Sequence, residues 1–180
     1  MNKPRFASVW LGGCSGCHMS FLDMDEWLFE LAELVDVVYS PIADFKDFPP
    51  DVDITLVEGA VANTDNLELA HRVRSSSRVV ASFGDCAVSG NVTAMRNPLG
   101  DPAAIIQRVY IDAVDRDGVV PEAAGIVPPL LPKVLPLHKV IGVDFYIPGC
   151  PPSSAEIRRA IETLVGGEAG HRNPEDIRPG

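Results

Sequence analysis

The sequence predicts an α/β fold, a mostly parallel sheet with helices on both faces, and three observations predict it. Short apolar runs rich in β-branched residues alternate with amphipathic helical stretches, an order that implies parallel pairing and a sheet covered on both sides. Several of the apolar runs end in glycine-containing turns that carry a cysteine. The chain has 180 residues, 46% of them hydrophobic, which is enough for one domain with a substantial core, taken as residues 1–180.

The elements follow in order. Arg5 to Leu11 reads as a strand, and Leu-Gly-Gly-Cys-Ser-Gly-Cys-His-Met-Ser, Leu11 to Ser20, follows it. From Met19 to Val35, Phe21, Leu22, Leu28, Leu31 and Val35 recur at helical spacing, which predicts one helix. Val37 to Tyr39 is a short strand and the Pro/Asp-rich segment to Pro50 a loop; Asp53 to Val57 is a buried strand ending in Glu58-Gly59-Ala60. A helix over about 65–75 turns Leu67, Ala70 and Val73 inward. Arg78 to Phe83 is a core strand ending in Gly84-Asp85-Cys86-Ala87.

From Asn97 to Lys139 the character changes. Seven of the sixteen prolines fall here, and Val127 to Leu137 is too rich in proline for a regular helix. This long, Pro-rich, irregular insertion, 97–139, is either packed on its own domain or an arm that buries its leucines on a partner. Val140 to Ile147 is a further strand ending in Pro148-Gly149-Cys150-Pro151-Pro152. The last helix opens with Ser153 and Glu156 in capping-box spacing, and the polar tail 166–180 is loosely ordered.

A net charge of −10 argues against nucleic acid and anionic membrane surfaces as partners. No run is long enough to span a membrane, and the N-terminus lacks the plan of a secretory signal, so the expected location is cytoplasmic. In that compartment four cysteines, Cys14, Cys17, Cys86 and Cys150, are ligands or redox groups before they are staples.

Each cysteine follows a strand, and the carboxyl ends of parallel strands lie along one edge, where open α/β folds place their ligands. Each is flanked by glycine or proline, which lets backbone approach a bulky group and aim N–H donors at it. Four thiolates suit a cubane iron–sulfur cluster or a four-sulfur zinc site. Structural zinc uses two close pairs, and only Cys14 and Cys17 form one, which favours the larger object. A thioredoxin-like thiol redox pair is the rival reading, and it leaves Cys86 and Cys150 without a task. A zinc-stabilised interaction subunit and unrelated structural cysteines are the others.

The ordered set Gly-Gly-Cys-Ser-Gly-Cys-His-Met-Ser, Val-Glu-Gly-Ala, Gly-Asp-Cys-Ala and Pro-Gly-Cys-Pro-Pro resembles the motifs of [NiFe]-hydrogenase small subunits, from about Ser8 to Val165. The 20-kDa-type cluster-bearing subunit of respiratory complex I is a more distant relative; it has adjacent cysteines at the first motif, where this chain has two residues between them. The resemblance implies a flavodoxin-like domain on which Cys14, Cys17, Cys86 and Cys150 hold the proximal [4Fe–4S] cluster against a large subunit carrying a nickel–iron centre. Periplasmic hydrogenases of the membrane have a leader and a further cluster-bearing part, so the chain looks most like the small subunit of the soluble NAD-reducing type. That type implies an H2:NAD+ oxidoreductase complex in which this chain is not catalytic alone, with FMN, further iron–sulfur clusters and NAD on diaphorase subunits. A cytoplasmic F420- or viologen-type hydrogenase, or a quinone-linked assembly like complex I, is the alternative.

FMN is expected on a partner for a second reason: its phosphate would compete with Cys14 and Cys17 for the loop after the first strand. N–H groups near Gly13, Gly16 and Gly149 are expected to stabilise a reduced cluster, the more negative form. His18 is either a hydrogen-bond donor to cluster sulfur or a packing or capping residue. Glu58 is either a solvated loop carboxylate or, as the motif implies, a residue at the cluster or the interface or in a proton relay.

Overall fold

The computed structural model describes residues 3–44 and 47–167. Its centre is a five-stranded parallel sheet of β1 (Arg5–Trp10), β2 (Asp36–Tyr39), β3 (Val52–Glu58), β5 (Ser77–Phe83) and β7 (Phe145–Ile147), in the order β2-β1-β3-β5-β7. Counted along this sheet alone, the order is 2-1-3-4-5, that of flavodoxin-like doubly wound folds. β3 is buried along almost its whole length, as a central strand covered on both faces must be.

Two apolar layers flank the sheet. On one face α1 (Gly16–Leu22), α2 (Trp27–Leu34) and α7 (Ser154–Val165) bury Phe6, Ile54, Leu56, Phe83, Ile157 and Ile161. On the other, α3 (Thr64–Ser76) and the segment around Leu137 and Ile141 cover Val9, Val57, Val73 and Val80. α7 begins at the predicted capping box: Glu156 N–H donates to Ser153 Oγ at 3.4 Å, and Ser153 N–H to Glu156 Oε2 at 2.9 Å.

Three segments differ from the sequence reading. The helix predicted from Met19 to Val35 is two helices, because the run Asp23-Met24-Asp25-Glu26 turns, with Asp25 at φ +48°. The strand predicted from Val140 is only Phe145–Ile147. Leu137–Lys139 forms a 3-10 turn first, and Asp144 carries the ladder onward, accepting Val80 N–H on its carboxylate at 2.8 Å and giving its own N–H to Val80 O at 2.9 Å. The Pro-rich insertion also holds regular pieces: α6 (Pro102–Gln107), a π turn over Arg108–Asp112, and β6 (Leu130–Leu135), which pairs antiparallel with β4 (Val61–Asn63). Two further short helices, α4 (Asp85–Ser89) and α5 (Asn91–Ala94), follow β5. Most of the predicted tail, residues 168–180, lies outside the described residues.

Candidate metal centre

The three cysteine loops meet at the carboxyl edge of the sheet. Cys14 and Cys17 stand after β1, with Cys17 in the first turn of α1; Cys86 stands after β5, in α4; Cys150 stands after β7. All four are free thiols, Cys17 and Cys86 buried, Cys14 and Cys150 exposed. Burial pushes the Cys17 thiol far up, and the charges of Glu58, Cys86, Cys14 and Cys150 push it further. Each of the other three thiols is thus near enough to act on it. Among the described residues no three or more His, Cys, Asp or Glu are gathered as one metal ion requires.

The loops are tied to one another by polar contacts. Asp85 and Gly149 clasp reciprocally: Asp85 N–H donates to Gly149 O at 2.9 Å, and Gly149 N–H to Asp85 Oδ1 at 2.7 Å. Gly84 N–H donates to Ile147 O at 2.7 Å, and Ser20 Oγ to Pro152 O at 2.6 Å. Gly12 and Ala60 exchange backbone bonds at 2.9 and 2.7 Å, which joins the first cysteine loop to the Glu58 turn. Gly84 must be glycine: it lies at φ +81°, and a Cβ there would sit 2.1 Å from Cys17 Sγ.

Glu58 ends β3 and is 2% exposed. Its carboxylate accepts Cys17 N–H at 3.3 Å, His18 N–H at 3.0 Å and the His18 ring at Nδ1. It therefore satisfies orphan donors at the start of α1, the task an N-cap side chain usually performs, from a strand distant in sequence. The solvated-carboxylate alternative does not hold for Glu58. His18 is 5% exposed, its ring edge-on to Phe83, and its Nε2 has no partner among the described residues.

Of the glycines singled out, Gly16 directs its N–H at Cys14 Sγ, 3.4 Å away. Gly13 packs its Cα side against Gly59 and Trp10. The N–H of Gly149 does not reach sulfur, because Asp85 takes it. Asp85, part of the Gly-Asp-Cys-Ala motif, is the clasp. Two polar residues were not legible in the sequence as parts of the site. Asn91 Nδ2 lies 3.2 Å from Cys150 Sγ. Thr93 directs its backbone N–H at Cys86, pulling that thiol down against the larger upward effect of burial, while its hydroxyl donates to Gly12 O at 3.0 Å. The only local signal was the turn-forming Ser89-Gly90-Asn91.

The donor set is four thiols from three turns, with N–H donors on sulfur and a glycine that clears space beside one of them. Such a set fits a thiolate-ligated iron–sulfur group.

Residues 14–164 match the family model described as NADH ubiquinone oxidoreductase, 20 Kd subunit. The chain belongs to this family. Within it, a subunit of the F420-non-reducing hydrogenase of Methanothermobacter thermautotrophicus is 39% identical over 92% of this chain and 54% of its own length. The delta subunit of the NAD-reducing hydrogenase HoxS of Cupriavidus necator is 38% identical over 92% of this chain and 80% of its own. The chain spans about half the length of the F420-non-reducing relatives it matches. A chain from the structure of NAD+-reducing [NiFe]-hydrogenase in the H2-reduced state superposes with a TM-score of 0.89, at 35% identity, covering 99% of this chain and 100% of that one. The H2-activated [NiFeSe]-hydrogenase of Dm. baculatum shares the fold, with a TM-score of 0.57 at 16% identity. No helix among the described residues is long and apolar enough to cross a membrane.

Proposed function

We propose that the chain is the electron-transfer small subunit of a cytoplasmic [NiFe] hydrogenase, in which Cys14, Cys17, Cys86 and Cys150 hold one [4Fe–4S] cluster. The cluster would link the nickel–iron centre of a large subunit to diaphorase subunits that would carry FMN, further clusters and the NAD site. The observation that carries this reading is the convergence of four thiols on one sheet edge, in a chain that superposes end to end on one from an NAD+-reducing [NiFe]-hydrogenase.

The cluster supplies one-electron, outer-sphere chemistry; the protein supplies everything that sets its energy. Cys17 and Cys86 hold it from the core side, where burial disfavours charge, and metal binding must deprotonate both thiols. At exposed Cys14 the Gly16 N–H would stabilise thiolate charge by donating to sulfur. Glu58 and His18 fix the first turn of α1 and hence the Cys17 backbone. Exposed Trp10 and Met19 flank Cys14 and Cys17 in the chain, Val92 and Met95 follow Asn91, and they would give this edge the apolar surface on which a large subunit would seat.

Anaerobic purification with copurifying partners, and a count of iron, acid-labile sulfide, nickel and zinc, tests the reading. About four irons and four sulfides per chain, with nickel in a larger partner and H2-dependent NAD+ reduction, are expected. Zinc without sulfide, or a metal-free chain with a reversible disulfide, overturns it. A second reading, as part of an F420-non-reducing hydrogenase, is favoured by the 39% identity to that relative; H2 oxidation with viologen but not NAD+ would select it.

A further inference from the structure

On the reading that the four thiols hold an iron–sulfur cluster, we infer that the Asn91 side-chain amide is a positioning and potential-setting residue, donating to Cys150 and raising the cluster's reduction potential. Asn91 Nδ2 stands 3.2 Å from Cys150 Sγ, well inside the range of an N–H···S bond. An amide nitrogen only donates, so the contact strengthens as sulfur gains charge. Reduction adds charge that the ligand sulfurs share, and the bond therefore stabilises the reduced form more than the oxidised one.

The placement of Asn91 is enforced. It follows Gly90, at φ +88°, and itself sits at φ +31°, where an L side chain is strained and asparagine is among the few residues that tolerate it. α5, which it opens, is clamped further along. Arg96 Nη2 donates to Ala62 O at 3.1 Å and to Leu131 O at 2.8 Å. Asn97 exchanges two bonds with the Val134 backbone, at 2.9 and 2.8 Å. The turn that presents the amide is thereby fastened to β4 and β6, and cannot swing away from Cys150 without breaking these bonds.

Thr93, two residues on, acts on a second thiol from the same turn. Its hydroxyl has one proton, and Gly12 O takes it at 3.0 Å, so the donor left for Cys86 is the backbone N–H. That donor survives any side-chain substitution at Thr93. Asn91 is therefore the position at which a sulfur bond can be removed by mutation. Its place beside exposed Cys150 makes it, with the Gly16 N–H on Cys14, a donor on the outer side of the set.

The test uses the anaerobically purified complex, with Asn91→Gly and Asn91→Asp. Glycine suits the positive φ and removes the donor; aspartate keeps the shape and replaces the donor with a charged acceptor. Iron and sulfide are counted first. Midpoint potentials are then read by EPR-monitored redox titration, and Fe–S covalency by sulfur K-edge absorption. With iron unchanged, Asn91→Gly is expected to lower the reduced-to-oxidised ratio at fixed ambient potential about tenfold, equivalent to about 59 mV for a one-electron couple. Asn91→Asp is expected to lower it further. The sulfur K-edge intensity is expected to rise in both, a change that mere loosening of the loop would not produce. Unchanged potentials in loaded variants, or a higher potential in Asn91→Asp, overturn the inference. Iron loss from the isosteric Asn91→Asp also overturns it, in favour of a role in assembly. A wild-type complex without iron overturns the cluster reading itself, and this inference with it.

Discussion

Replacing Glu58 is the sharpest test of how the site is built. The carboxylate is 2% exposed and serves three donors: Cys17 N–H, His18 N–H and the His18 ring at Nδ1. Glu58→Ala leaves all three without an acceptor in a region that water does not reach. A buried donor left unpaired costs about 1–3 kcal/mol, and removing one partner of a buried pair costs about 3–5 kcal/mol. These figures overlap, since the donors share one turn, and the expected loss for Glu58→Ala is about 3–5 kcal/mol. Glu58→Gln keeps one oxygen for the His18 donors and turns an NH2 toward Cys17 N–H, so its expected loss is smaller, about 1–3 kcal/mol. Urea unfolding followed by the fluorescence of buried Trp27 measures both. With a slope of about 1–3 kcal/mol per molar, the alanine variant should unfold about 2 M earlier. A loss below about 1 kcal/mol for alanine, or equal losses for alanine and glutamine, would refute the claim that Glu58 caps α1.

Three further outcomes follow from the same geometry. Gly84→Ala, at φ +81° with a Cβ 2.1 Å from Cys17 Sγ, is expected to lose most of its iron, read by metal analysis against wild type. In the metal-free, reduced chain the Cys17 and Cys86 thiols are raised above their ordinary value of 9.0, so the folded state holds their protons while the unfolded state releases them. Stability should then fall as pH rises through about 9, because above that the unfolded chain binds fewer protons. Denaturation midpoints across pH 7 to 10 check the sign, and iodoacetamide should reach exposed Cys14 and Cys150 before the buried pair. Ser153→Ala removes the α7 capping box and is expected to cost about 1 kcal/mol in the same unfolding assay, with iron content unchanged.

What the sequence made legible was whatever local pattern encodes. β-branched runs ending in glycine gave the strands, and parallel pairing then gathered their ends, which is why cysteines far apart in the chain were readable as neighbours. The breaks were less readable. Asp25 interrupts a helix whose apolar spacing continues across the turn, so periodicity alone carried Met19 to Val35 as one piece. Near β7, the Asp144 carboxylate accepts the Val80 N–H that a longer strand's backbone would have taken, and an apolar run from Val140 does not reveal that substitution. β4 and β6 pair across a long stretch of chain, with Pro132 inside one strand; nothing nearby in sequence announces either. At the site, the residues missed were Asn91 and Thr93. Each acts through a single polar contact set by the fold, and such contacts leave no periodic trace.

The two sides of the thiol set differ in a way that bears on how a partner would act. Cys17 and Cys86 rest on the core, where Glu58, His18 and Phe83 pack, and no partner changes their surroundings much. Cys14 and Cys150 face outward, beside segments that expose Trp10, Met19, Val92 and Met95. A large subunit seated there would strip water from the outer thiols alone. On the proposed reading, that desolvation disfavours the more negative, reduced cluster and so opposes the donation from Asn91 and Gly16. The potential would then be lower in the complex than in the loaded chain alone, and the difference would arise at Cys14 and Cys150. Docking would thus set the potential through the two thiols whose side-chain or loop donors lie at the surface, while the buried pair keeps the cluster in place.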